Sequence, residues 1–467
     1  MKNRHFFPFQ EKVGSSNEAE GRRYGATVMA DASKKLLAVG FMWLLMHIGA
    51  DRVVWAQPFP AFPGEDRQAD SPLTLFPIGS RWLELTGELE MEVTHDTHLN
   101  LGTTPDDEQT TLTPQLTLNA RITPSEQVQG FLQLEFSHDL ILEAASGEST
   151  DTTRPALKLK ETFVRFEKLF SSHWSLQIGR QSFEDPRQWL FDDQLDALRL
   201  TYQSSRIQFD LAIARQGLFM TDLIQGRRES SADYYWLSGQ YKLREETTLA
   251  AYSLIHHESD LYLSFLGLQS QGKLGSNLSY WFDLAHVRGK EEGRTVRGWG
   301  GDVGFLYTLD RPWHPFLTTG LAFGSGDGTP EDARDTAFRQ TGLHGNTATL
   351  DDVDFQYYGE LFDPELSNLL IFTAGTGLRP FPPTSLTLMY HHYQQHRAAD
   401  TLREARITAE PAGRSRNLGH ELDFIGSWGW GRFELTVIVG TFWPGSAFEG
   451  TVPLAVFAQG RIRIAFE

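Results

Sequence analysis

Ile207-Gln208-Phe209-Asp210-Leu211-Ala212-Ile213-Ala214-Arg215 alternates residue by residue. Ile207, Phe209, Leu211 and Ile213 point one way, and Gln208, Asp210, Ala212 and Ala214 the other, because a strand has a two-residue period. The run before it, Asp196 to Tyr202, does the same, with Leu198, Leu200 and Tyr202 against Ala197, Arg199 and Thr201. Only Gln203–Arg206 separates the two, which suits a tight hairpin. Further upstream, Trp174, Leu176 and Ile178 alternate with Ser175, Gln177 and Gly179. An apolar face with charge on the opposite face at mid-strand is the pattern of a barrel wall in lipid.

The whole chain allows that reading. Its 467 residues are 40% hydrophobic and 22% charged, with a mean hydropathy of −0.35. After the first sixty residues, no run approaches the ~20 apolar residues of a membrane helix. A membrane could therefore be crossed only by strands, in which half the residues stay polar. The net charge of −18 argues against nucleic acid. With no cysteine, disulfides and thiol chemistry are excluded. Lys34 and Lys35 precede the apolar run Leu36–Ile48, and Val54-Trp55-Ala56 offers small residues before Gln57. Residues 1–56 thus read as a secretory signal, with Met29 an alternative start, and residues 57–81 as a periplasmic lead.

From residue 82 to 467 the alternating runs recur about 18 times, from Leu83–Val93 to Leu454–Phe466. Every second connection is short, as at Thr123–Gln127, Gln203–Arg206 and Gly275–Asn277. Most of the others are long, among them Thr94–Thr110, Ile141–Ala156, Gln216–Ala232, Ser325–Glu365 and Gln395–Asn417; His257–Asp260 and Gly289–Thr295 are the exceptions. A soluble sandwich has no reason to alternate in this way. The expected fold is all-β: a single transmembrane antiparallel barrel of about 18 strands, with short periplasmic turns and long extracellular loops. The final run, ending Ile462-Arg463-Ile464-Ala465-Phe466, resembles the targeting end of bacterial outer-membrane proteins.

Four segments carry a family likeness. They are Ile178-Gly179-Arg180-Gln181-Ser182-Phe183 with the following Asp192-Asp193-Gln194-Leu195-Asp196; Gly324-Ser325-Gly326-Asp327-Gly328; Tyr358-Gly359-Glu360-Leu361 running into Asp363-Pro364-Glu365-Leu366; and Leu418-Gly419-His420-Glu421-Leu422-Asp423. In this order they resemble the alginate-export family of outer-membrane porins. The resemblance implies an 18-stranded barrel that passes an anionic polysaccharide, embedded in outer-membrane lipid and served by periplasmic synthesis or export proteins.

A pore for a polyuronate needs fixed cations to replace the hydration its carboxylates lose. Alternation turns Arg121, Lys158, Lys160, Arg199, Arg461 and Arg463 inward. Arg165 and Arg180 face inward only with a local bulge, for Arg165 at Lys160-Glu161. The resemblance adds Arg180 and the acids Asp192, Asp193 and Asp196 as constriction residues. Arg180 and Arg199 would then be held by Asp192 and Asp193. Read singly, each cation is equally an ordinary wall residue of a water-filled barrel. Glu84, Glu88, Glu90, Glu92, Glu135, Asp210, Glu421 and Asp423 should face inward too, so the lumen is mixed in charge. The alternatives are a less selective porin for small anionic solutes, or an outer-membrane enzyme or adhesin.

No nucleophile elbow appears, and no cofactor is called for. Gly324–Gly328 lacks the Lys-Ser/Thr and helix of a phosphate loop. His391 and His392 are adjacent, so as strand residues they point to opposite faces, and an aromatic rim around Tyr390 and Tyr393 is the expected reading over a metal site. Asp327, Asp332 and Asp335 could hold Ca²⁺ only weakly.

Overall fold

The computed structural model describes residues 83–102, 107–144, 154–185, 187–350, 353–381, 383–450 and 452–466. The expected signal (1–56) and lead (57–81) lie outside them. Eighteen strands form the wall. The first six are β1 (Leu83–Thr97), β2 (Gln109–Ser125), β3 (Val128–Ser137), β4 (Ala156–Glu167), β5 (Trp174–Glu184) and β6 (Asp192–Gln203). Next come β7 (Ile207–Gln216), β8 (Ala232–Arg244), β9 (Thr247–Glu258), β10 (Leu261–Lys273), β11 (Leu278–Glu291) and β12 (Arg294–Thr308). The rest are β13 (Phe316–Gly324), β14 (Leu369–Leu378), β15 (Thr384–Gln395), β16 (Asn417–Trp430), β17 (Phe433–Pro444) and β18 (Ala455–Phe466). Each pairs antiparallel with the next, and β1 closes on β18 from Gly87↔Phe466 to Thr97↔Val456, so no edge is left unpaired.

The alternation seen in the sequence sets the two faces. Ile207, Phe209, Leu211 and Ile213 are exposed on the outside, while Asp210, Ala212 and Ala214 are buried within. Leu85, Met91 and Val93 on β1 and Leu321 on β13 extend the outward apolar band. The two connections that break the loop-length rhythm are tight turns on the long-loop side, between β9 and β10 and between β11 and β12.

Two irregularities bear on the interior. The β3–β4 register shifts between Gln133↔Glu161 and Leu134↔Leu159, leaving Lys160 as the extra residue. This is the bulge that turns Arg165 inward. The β4–β5 ladder runs only from Thr162↔Arg180 to Glu167↔Ser175. Above it, β4 pairs instead with the loop after β7: Leu159 N–H donates to Thr221 O at 2.9 Å and Leu223 N–H to Leu157 O at 2.8 Å. That loop segment fills the wall where β5 has parted from β4.

Three further pieces lie outside the wall count. Leu140–Ala144 pairs with the top of β2, Arg334–Asp335 lies parallel to β12, and Thr347–Leu350 forms a hairpin with Val353–Gln356.

Candidate functional site: the barrel interior

Loops fill part of the lumen. Asp283 on β11 and Asp302 on β12 are inward and directly opposite one another, so two carboxylates would repel without a cation. The loop between β5 and β6 supplies Arg187, whose side chain is only 11% exposed. Its guanidinium lies 3.0 Å from Asp283 and 3.3 Å from Asp302, with its flat faces over the rings of Trp281 and Tyr357. Burial works against the charge on Arg187, but Asp302 and Asp283 outweigh it and raise its pKa above the ordinary value. Trp281 Nε1 donates to Asp302 at 2.7 Å, the Tyr358 hydroxyl donates to it at 2.8 Å, and Trp189 Nε1 donates to that hydroxyl at 2.9 Å. The same short loop is held in shape by Asp185, which accepts the N–H groups of Trp189, Leu190 and Phe191.

The long connection between β13 and β14 folds in beside this ion cluster. Its Phe338 stacks on Trp189 and packs against β12 at Gly298 and Gly300; a Cβ at Gly298 would come within 2.5 Å of the Phe338 backbone. The glycines are thus there for close approach. Gln340 ties the loops together: its amide donates to Trp189 O at 2.8 Å, and its side-chain oxygen accepts Leu366 N–H at 2.8 Å. On the far side, Glu421 of β16 accepts the N–H groups of Leu361 (2.7 Å) and Phe362 (3.0 Å), and the Tyr393 hydroxyl lies 2.9 Å away. The third long loop completes the stopper. Arg403 bridges Glu291 (2.7 Å) and Glu365 (2.9 Å), and Arg406 reaches Asp96 on β1 at 2.8 Å. Burial raises the carboxyl pKa of Glu360 to about 8, and of Asp363 and Glu365 to about 7, with Arg406 and Arg403 pulling against it in the last two.

The opposite wall, from β17 through β18 and β1 to β4, carries charges that stay partly hydrated. Arg463 of β18 lies 3.2 Å from Glu88, 3.2 Å from Glu90 and 3.5 Å from Glu434. Arg461 is its inward neighbour on the same strand, opposite Glu92. Arg121 faces Glu84 at 3.8 Å, with half of each side chain exposed. Lys158 (47% exposed) and Lys160 (32% exposed) share Glu135, at 3.1 and 3.7 Å. Arg165 lies 2.5 Å from Glu167.

The remaining expected residues are placed differently. Arg199 is held by Asp210 at 3.0 Å, not by Asp192 or Asp193. The β5–β6 ladder passes Gly179↔Ala197 and Arg180↔Asp196 with no bulge, so Arg180 and Asp196 keep the outward parity of Ile178 and Leu198. Arg180 is 3% exposed, with Asp196 at 3.5 Å and Glu229 at 3.2 Å, and Phe219 N–H caps Asp196 at 3.0 Å. The loop after β7 therefore seals this pair into the wall. Asp193 accepts from its neighbour Gln194 N–H at 2.6 Å, and the backbone of Asp192 donates to Leu343 O at 2.5 Å. The expected Arg180–Arg199 pair, bracketed by Asp192 and Asp193, does not assemble.

The histidines are also separated: His391 is buried inward, 3.5 Å from Asp423, and His396 accepts Gly326 N–H at 3.0 Å. Tyr390 faces out, but Tyr393 is fully buried in the interior and so belongs to no rim. Asp327 and Asp335 are taken by Arg294, at 2.6 and 3.0 Å. The sequence reading passed over Arg187, although two acids at directly opposed inward positions signalled that a cation had to reach them.

Comparison with known proteins agrees with this architecture. The family model described as "Alginate export" matches residues 81–456. The "Alginate production protein AlgE" of Azotobacter vinelandii is 27% identical over 139 residues, a match spanning 28% of this chain and 28% of that relative. Among solved structures, OccK5 (OpdH) of Pseudomonas aeruginosa superposes with a TM-score of 0.54 at 12% identity, covering 82% of this chain and 98% of that one. OccAB2 of Acinetobacter baumannii gives 0.55 at 14% identity, with coverage of 82% and 98%. At such identities these two speak for the fold alone.

Proposed function

The chain belongs to the alginate export family, an outer-membrane β-barrel, and from that premise we propose that it passes an anionic polysaccharide such as alginate out of the periplasm. The observation that carries the reading is the division of the interior. The stopper fills the lumen against β11, β12, β15 and β16 and covers Asp96 and Phe457 towards the extracellular ends of β1 and β18, while Lys158, Lys160, Arg165, Arg461 and Arg463 stand on the wall it leaves uncovered.

A polyuronate sliding along that wall meets cations fixed on strands, each already weakly engaged by a glutamate. The glutamates keep the guanidinium and ammonium groups in place and compete with the polymer's carboxylates, so an anion is accepted without being trapped. These charges are partly shielded from bulk water, so they are screened less by salt than surface charges would be.

The test is bilayer recording with oligouronates. Lys158→Glu combined with Arg463→Glu should move the ion preference toward cations and abolish block by oligouronates. Unchanged block would place the polymer elsewhere. Anion preference without block by oligouronates in the unaltered protein would favour a pore for small anionic solutes.

A further inference from the structure

Charges on the outer face of the barrel are mostly neutralised in place. Across β5 to β8 the outward positions Arg180↔Asp196, Asp196↔Arg215 and Arg215↔Asp233 alternate in sign. On β10 to β12 they do not. Arg288 of β11 stands directly opposite Arg297 of β12, Lys290 lies one outward step further from the membrane, and all three are exposed. Like charges at directly opposed positions, with Cβ atoms about 4.5–5.5 Å apart, repel. None of the three makes an ion pair or hydrogen bond with any described residue. Of the acids close by, Glu291 turns inward to Arg339 and Arg403, and Asp335 to Arg294 and Arg339, while Glu292 stands exposed in the turn and forms no ion pair with the three. Arg334, beside Thr295 on the same face, is already offset by Asp332, which accepts its backbone N–H and lies close to its charge.

Position says what this cluster meets. The next outward pair toward the periplasm is His286 and Trp299, with ring centroids 4.4 Å apart, and below them come the exposed Phe282, Val303 and Phe305. Aromatic rings mark the membrane–water interface, so the arginine pair stands at the headgroup level of the outer leaflet. On its other flank β10 offers Ser264 opposite Arg288 and the ring of Tyr262 opposite Lys290.

We propose that Arg288, Arg297 and Lys290 form a binding site for the phosphate of a phosphorylated glycolipid of the outer leaflet. Two guanidinium groups side by side can each present paired N–H donors to one phosphate, and the bound anion removes the repulsion between them. The exposed Leu266 and Phe282 below give the acyl chains an apolar surface. The inference needs the outer-membrane location but not the polymer-passing reading.

The experiment uses the full chain in detergent, with native mass spectrometry as the readout and two probes: diphosphorylated lipid A and the same lipid after phosphatase treatment. The unaltered protein should hold the phosphorylated lipid preferentially. Arg288→Gln with Arg297→Gln should weaken it by about tenfold or more, the scale set by losing charge-assisted hydrogen bonds. Arg414→Gln, a loop cation already paired with Glu449, should leave binding unchanged. Folding is checked by heat-dependent gel mobility. If the glutamine variant does not fold, Arg288→Lys with Arg297→Lys keeps the charge and loses the paired donors, and should still bind more weakly. Equal binding of both lipids, or undiminished binding by a folded variant, would overturn the site.

Discussion

Two regions of the barrel interior use the same kinds of side chain to opposite ends. On β11 and β12, Asp283 and Asp302 have side chains 5% and 4% exposed and close around Arg187, with Asp302 held in addition by indole and phenol donors. On β18 to β4, Arg121, Lys158 and Arg463 meet glutamates too, but with a quarter to a half of each cation's side chain in water. Charges without water must be fully satisfied and so fix a loop in place. Hydrated charges keep capacity to exchange partners. The first arrangement builds a stopper and the second leaves a track.

That contrast is broken most severely at its cationic centre. Arg187→Ala would leave two adjacent carboxylates buried and unpaired, a cost of about 3–5 kcal/mol. The β13–β14 loop should then come loose. Trypsin added to outer-membrane preparations is expected to cut at Arg339 in the variant but not in the unaltered protein, where Arg339 is buried, and single-channel conductance is expected to rise.

A smaller effect comes from pH. Glu360, Asp363 and Glu365 have carboxyl pKa values raised in the docked loop, by burial, to about 8, 7 and 7. Below the ordinary carboxylate range both docked and released loops are protonated, so pH has no effect there. As pH rises through that range, the released loop ionises first, and docking weakens progressively until the docked pKa values are passed. Between pH 5 and pH 9 the open probability should therefore grow, by about tenfold for each unit of pKa elevation left uncompensated. Glu360→Gln should flatten the part of this dependence that lies nearest pH 8.

The open wall should respond least in stability. Arg463→Gln removes ion pairs that are partly hydrated, so the thermal unfolding free energy should change by no more than about 1 kcal/mol. The reversal potential in a salt gradient should still move toward cation preference, because Glu88, Glu90 and Glu434 remain.

How much of this was legible in the sequence follows from periodicity. A two-residue repeat determines which side chains face lipid, and it placed Lys158, Arg199, Asp210, Glu421, Asp423 and Arg463 correctly on the inner face. The bulge at Lys160 was readable because without it Arg165 shares the outward parity of Leu157 and Leu159. Arg180 was drawn to the lumen by its motif, yet its parity with Ile178 already assigned it outward. What sheltered it was a loop returning to the wall, and loops carry no period. The same limit hid Arg187 and the stopper: Asp185-Pro186-Arg187-Gln188-Trp189 has no repeat, and its place was set by acids about a hundred residues away in the chain.

The division of the lumen is tested most directly by cysteine accessibility, since the native chain contains no cysteine. Lys158→Cys and Arg463→Cys on the track should react rapidly with a charged thiol reagent, and an oligouronate should protect both. Ala285→Cys, fully buried beneath the stopper on β11, should react at least roughly a hundredfold more slowly, the factor imposed by a local opening that costs about 2.7 kcal/mol. Comparable rates at the three positions, or protection of position 285 by the polymer, would contradict the account.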